Sequence, residues 1–179
     1  MTSLRNKITD TTIICLVAAV LMIVAIFLPY AAARAEFRAL IRAEGNAVCF
    51  EGTNVKLEHI SMVGFLKIYA SRPEGAALKQ FCSILVSLMG AAALLTGVFA
   101  VLKKPVVMLF CDVVAFAAFY LHNSHYTNRN VIPSWEYRFG IGYYLFATAT
   151  IVALAGGIWM LREKKRNTEP QEKDPQAQE

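Results

Sequence analysis

Asp112 is the residue with the strongest claim to chemistry. It stands eight residues into a 17-residue apolar run, Pro105 to Leu121. A carboxylate near the middle of a membrane helix costs about 2.5–3.5 kcal/mol on insertion scales, so such a residue marks a functional site by default. Two roles fit it: a proton or cation site, or a protonated carboxyl that hydrogen-bonds helices together. Helical spacing puts Met108, Ala115 and Phe119 on its face. Ser83, Ser87 and Thr96 of the preceding apolar run are candidate partners, as are Thr148 and Thr150 of the following one. Apart from Lys79 at the edge of the second, the four apolar runs contain no other Asp, Glu, Lys, Arg or His, which favours the hydrogen-bonding role.

His122 and His125 close the same run as an H-x-x-H pair. On a helix they share a face and could hold zinc. Two ligands are not a site, and Cys49, Glu58 and His59 are remote additions, so the expectation is polar interfacial histidines and no metal. Cys15, Cys82 and Cys111 lie inside apolar runs, where a thiol serves as a small hydrophobe. Only Cys49 falls in a polar segment, so the sequence offers no disulfide pair. Phosphate-binding glycine loops, H-E-x-x-H and G-x-S-x-G are all absent. Four-span thiol oxidoreductases need C-x-x-C, which is missing. Claudin-like and tetraspanin-like chains carry paired loop cysteines, which are also missing. The expectation is a protein that is not an enzyme and needs no cofactor.

The elements that would position these residues follow from hydropathy. The chain has 179 residues, 56% hydrophobic and only 17% charged, with a mean hydropathy of +0.45. So short a chain cannot bury that much apolar surface in a core of its own. The net charge of +5 sits at the edges of apolar runs and in the C-terminal segment. That pattern suits a membrane surface and argues against nucleic acid. Four runs are long enough to cross a bilayer core of roughly 30 Å: about 11–30, 78–102, 105–121 and 141–161. Pro73 and Glu74 suit the first turn of the second helix. Lys103, Lys104 and Pro105 leave only a tight turn, which makes the second and third spans an antiparallel hairpin.

The fold expected is an all-α membrane protein: a four-helix transmembrane bundle over residues 1–161 with a small extracytoplasmic cap, 31–77, between spans one and two. In the cap, Ala31 to Glu44 reads as a helix ended by Gly45. Ala47 to Glu51 and Val55 to Ile60 read as a hairpin, and Ser61 to Tyr69 as a short amphipathic segment. Residues 162–179 read as a disordered cytoplasmic tail. The first span also resembles a signal peptide, with small-residue cleavage sites at Ala31–Ala33 and Ala33–Ala35. Its 16 unbroken apolar residues exceed the usual 7–15, which favours a retained helix.

Three patterns suggest contacts. Arg34, Arg38 and Arg42 form a basic stripe at i, i+4 and i+8, placed to meet anionic headgroups or an acidic partner. Ser83, Ser87 and Ala91 recur every four residues, as do Ala149, Ala153 and Gly157. Such small-residue stripes let membrane helices pack closely. The dense basic clusters near both termini, above all Arg162 to Arg166, place the termini in the cytoplasm.

Phe27-Leu28-Pro29-Tyr30 closes the first span, a loop with a small helical element follows, then the Lys-Lys turn, and Gly140-Ile141-Gly142-Tyr143-Tyr144-Leu145 opens the fourth span. Together these resemble small bacterial four-span proteins of uncharacterised function. The resemblance implies a cytoplasmic-membrane location and a four-helix plan, and brings no active site with it. The functional expectation is binding or regulation of another membrane or envelope protein through the cap, with the lipid bilayer as constant partner and homo-oligomers allowed. The alternative is an oligomeric small transporter or ion-conducting protein that uses Asp112.

Overall fold

Peptide groups in oil find no water, so each apolar run must close its own backbone hydrogen bonds. A computed structural model describes residues 2–43, 49–71 and 76–168. The apolar runs form four long helices: α1 (Thr2–Phe27), α4 (Ala76–Val101), α5 (Pro105–Asn128) and α6 (Ile141–Thr168). Between them stand β1 (Pro29–Ala33), α2 (Ala35–Ala43), β2 (His59–Ser61), α3 (Met62–Ala70) and β3 (Tyr137–Phe139). Each of the four long helices has a stretch long and apolar enough to cross a membrane.

The long helices pack as a ring in the order α1, α4, α5, α6, with α6 closing on α1. Small residues make the close approaches. Gly156 lies against the Cys15 sulfur, and Gly157 lies against Met108 and Leu109. Outward, the helices expose Val17 and Val24 of α1, Ile84 of α4, Phe110 and Val113 of α5, and Ile151 and Ile158 of α6. A continuous apolar belt of this kind is far larger than the patches soluble monomers tolerate, and lipid is the solvent that suits it. The α4–α5 turn is tight. Lys103 takes a left-handed φ of 54°, and the Lys104 amide donates to the Phe99 carbonyl. Pro105, with its fixed φ, then opens α5 at a position where no amide is needed.

The cap differs from the expected helix and hairpin. Alanine-rich 31–33 is not helical. It lies in β1, the central strand of a three-stranded antiparallel sheet ordered β2-β1-β3. Ala31 and Ala32 face Ile60 and His59 on one side, and Phe139 and Arg138 on the other. Pairing on both edges outweighs alanine's intrinsic helix preference. The helix expected from Ala31 therefore begins at Ala35. Of the expected hairpin, Ala47 and Val48 lie outside the described residues; among the described ones Cys49 bridges Lys56 and the Phe50 amide donates to the Val55 carbonyl, around a turn in which Gly52 has a φ of +73°. Val55–Ile60 is not one strand, because only its last two residues join β2. Ser61 caps α3 by accepting from the Gly64 amide, so the amphipathic segment is a true helix. At the far end, α6 runs on to Thr168, so 162–168 is helical and not the start of a disordered tail. Gly45, Pro73, Glu74 and residues 169–179 lie outside the described residues.

Two short motifs meet where the ends of the chain's long loops close. The Gly140 amide donates to the Tyr30 carbonyl at 2.7 Å. Gly142 sits so close to α1 that a Cβ would stand 2.8 Å from the carbonyl oxygens of Ala25 and Leu28. The Phe27–Tyr30 and Gly140–Leu145 motifs are thus two halves of one joint between α1 and α6.

The joint bears on the fate of α1. A processing protease reads its substrate as an extended strand with a free edge. Ala31 to Ala33 are paired along both edges, and Ala31 and Ala33 are fully buried. Amino-terminal sequencing of protein purified from membranes is expected to start before Thr11. A sequence starting at Arg34 or Glu36 would mean the strand is cut before the sheet forms.

Candidate functional site

The inner face of α5 carries a line of buried polar and aromatic residues: Asp112, Phe119, His122 and Tyr126. Their spacing of seven, three and four residues keeps them on one side of a 3.6-residue helix. Asp112 is 0% exposed, and neither carboxyl oxygen has a hydrogen-bond partner. Met108, Ala115 and Phe119 of its face are buried with it. Cys15 and the adjacent Cys111 lie within electrostatic range.

The hydroxyls expected to hold Asp112 are engaged elsewhere or turned away. Thr96 donates to the Ala92 carbonyl, and Thr150 to the Phe146 carbonyl with Met22 sulfur nearby. Thr148 is exposed and donates within its own helix to Tyr144 and Leu145. Ser83 is half-buried and Ser87 exposed. The glue expected between Asp112 and these hydroxyls is therefore absent. In each threonine the helix carbonyl one turn back competes successfully for the proton.

The small-residue stripes divide. Ala149, Ala153 and Gly157 are buried in the ring. Ala91 is exposed beside Ser87, so that stripe does not pack inside the ring. Ala92, Ala93, Gly97 and Ala100 take its place on the buried side of α4. The period was right, but the face lay one residue away.

His122 is also 0% exposed with both ring nitrogens unpartnered. It packs edge-on to Tyr30 at 5.2 Å and Tyr126 at 4.8 Å. Tyr30 is the hub of this cluster. It touches Phe65, Phe119 and Tyr143 as well, and its hydroxyl donates to Asn123. His125 points instead toward Phe81 and Tyr126. Among the described residues, no three His, Cys, Asp or Glu side chains gather as a metal site. Between Asp112 and His122 the interior is closed by Phe119 stacked on Phe146 at 4.8 Å. The two unpartnered groups are separate sites about 15 Å apart along α5.

The cap holds a second candidate. Arg34 just before α2, Glu36 and Arg38 from its start and Arg138 from β3 line one cleft of about 460 Å³ with Trp135. The Arg34 amide donates to the Glu136 carbonyl, which ties α2 to the β3 loop. Arg38 spends one nitrogen on the Ala33 carbonyl, while its Nε is buried without a partner. Trp135 is 66% exposed and held edge-on to Phe37 at 5.7 Å. Tyr137 anchors the strand beneath by donating to the Leu57 carbonyl. Burial, then the neighbouring Glu136 charge, pushes its hydroxyl up to about 12.

Arg42 leaves the expected stripe. It pairs with Glu58 at 2.9 Å, and this hydrogen bond holds the Glu58 carboxyl below its ordinary value. An exposed pair of this kind contributes little to stability. Eight helical positions turn Arg42 about 80° from Arg34, enough to reach the 58–61 segment instead. Arg138 and Trp135 take its place in the cleft. They lie about 100 residues away in a polar loop, where sequence gives no sign of the pairing that brings them to α2. Comparison with protein-family models, characterised proteins and solved structures finds no match to this chain.

Proposed function

We propose that this chain is a non-enzymatic membrane protein whose cap binds an acidic segment of another membrane or envelope protein. The observation that carries the reading is the convergence of Arg34, Arg38 and Arg138 on one cleft beside exposed Trp135. Arginine forks match carboxylates in two-point contacts, and an exposed tryptophan supplies the apolar anchor that binding hot spots favour. Glu36 on the rim offsets one charge and leaves an excess of two. The basic clusters near both termini support a cap outside the cytoplasm, and the resemblance to bacterial four-span proteins supports the cytoplasmic membrane as its site.

A photo-crosslinking residue in place of Trp135 is expected to capture a defined partner in native membranes. Arg34→Glu with Arg138→Glu should lower that yield at least tenfold while thermal stability in detergent stays unchanged. Undiminished capture, or no product from native membranes, would refute the cleft as a binding site. A second reading, an oligomeric proton or cation conductor, draws on the unpartnered Asp112 carboxyl. Flux into vesicles reconstituted with the protein should then vanish in Asp112→Asn and persist in Asp112→Glu.

A further inference from the structure

Two surface concavities lie end to end along α1. The first is an apolar groove of about 390 Å³ at the α1–α4 seam, running from Ile23 and Ala93 to Val101 and Leu102 near the end of α4. Its floor is made of Ala19, Ala93 and Gly97, and its rims of larger residues such as Leu16, Val20 and Val98. Small residues on the floor let the helices touch, and a β-carbon on Gly97 would already press on Ala19. The rims above them therefore leave a channel. The second is a cleft of about 420 Å³ at the cap end of α1, between Phe27, Pro29, Lys56, His59, Ser61 and Lys67. None of its lining residues is acidic, and neither lysine makes an ion pair among the described residues.

Leu16, Val20 and Phe27 fall within about 40° of one another around α1, so one helix face leads from the groove to the cleft. Phe27 is 66% exposed where that face leaves the apolar belt. Over the seam sits α3, which touches both α1 and α4 and carries Lys67. From Leu16 to Phe27 is about 16 Å along the axis, against about 15 Å for half the apolar core of a bilayer. One face of α1 thus leads from the apolar groove to a cleft that presents Lys56, His59 and Lys67 and has no acidic residue in its lining.

We propose that this seam binds one anionic phospholipid, with its phosphate among Lys56, His59 and Lys67 and an acyl chain along the α1–α4 groove. Lysine is a point-charge partner for phosphate, and cations placed at the headgroup level attract anionic lipid. The site is separate from the arginine cleft, since the two share no residue.

Native mass spectrometry of the full chain, titrated with phosphatidylglycerol or phosphatidylcholine in detergent, tests the proposal. One phosphatidylglycerol should bind at least tenfold more tightly than phosphatidylcholine. Lys56→Gln with Lys67→Gln should erase that preference. Val98→Trp, a lipid-facing change that fills the groove, should weaken both lipids. Arg34→Glu with Arg138→Glu should change neither, which separates this site from the partner-binding one. Equal affinity for the two lipids, or retention of the preference in the double lysine variant, would overturn the headgroup site. Full competition by water-soluble glycerol phosphate, or no effect of Val98→Trp, would overturn the acyl groove.

Discussion

Gly142→Ala should lower the unfolding temperature of the purified protein by on the order of 5–10 °C, and Gly142→Val should leave little folded protein to purify. The reason is backbone against backbone. A β-carbon at Gly142 would stand 2.8 Å from two backbone carbonyl oxygens, that of Ala25 in α1 and that of Leu28 just after it. Neither is the end of a flexible side chain, so relief requires α6 to move off α1. Overpacking costs about 1–3 kcal/mol where side chains can adjust, and more where they cannot. For a chain of this size each kcal/mol moves the midpoint by about 2–4 °C. Gly140 meets the Pro29 carbonyl even more closely, so Gly140→Ala should act in the same direction and break the hydrogen bond from its amide to the Tyr30 carbonyl. Ala155→Gly, on the exposed side of α6, is the control. It should cost only about 1 kcal/mol of helix propensity. Equal stability of Gly142→Ala and the parent, measured by thermal unfolding in the same detergent, would mean that α1 and α6 do not meet this way.

That joint shows which parts of the structure could be read in advance. Hydropathy located the four long helices because a membrane segment must satisfy its own backbone and little else decides it. The Lys103–Pro105 turn followed from its shortness. The face of α5 was also readable, since Met108, Asp112, Ala115 and Phe119 share a side by helical geometry alone. The sheet was not readable. Ala31–Ala33 has the composition of a helix, and β3 is three residues inside a polar loop. Only their pairing across more than 100 residues makes either a strand. The same distance hid the arginine cleft. Arg34 and Arg38 were visible as a stripe, but Arg138 reaches them through the sheet, and Arg42 is drawn off by Glu58. The surroundings of Asp112 are not legible in sequence for a local reason. Helix carbonyls one turn away captured the Thr96 and Thr150 hydroxyls, which spacing along the chain had left free.

That capture determines what Asp112 should do to stability. If it tied helices together, its removal would destabilise the bundle. With both oxygens buried and unpartnered, the opposite is expected. An unsatisfied buried polar group costs about 1–3 kcal/mol, and the site is walled by the small and apolar residues Met108, Ala115 and Cys15. Asp112→Val, slightly larger and apolar, should therefore stabilise the purified protein by about 1–3 kcal/mol and raise its unfolding temperature by several degrees. Asp112→Asn keeps the unsatisfied polar atoms and should gain little. A fall in stability for Asp112→Val would show that the carboxyl has a partner and restore the helix-tying role. A gain would mean that the chain keeps a residue its fold would be better without. Proteins hold such residues where activity requires them and the rest of the structure compensates. On the conductor reading, Asp112→Val and Asp112→Asn should both abolish flux into reconstituted vesicles, while only Asp112→Val gains stability, so the loss of flux would follow from the carboxylate and not from the change in stability.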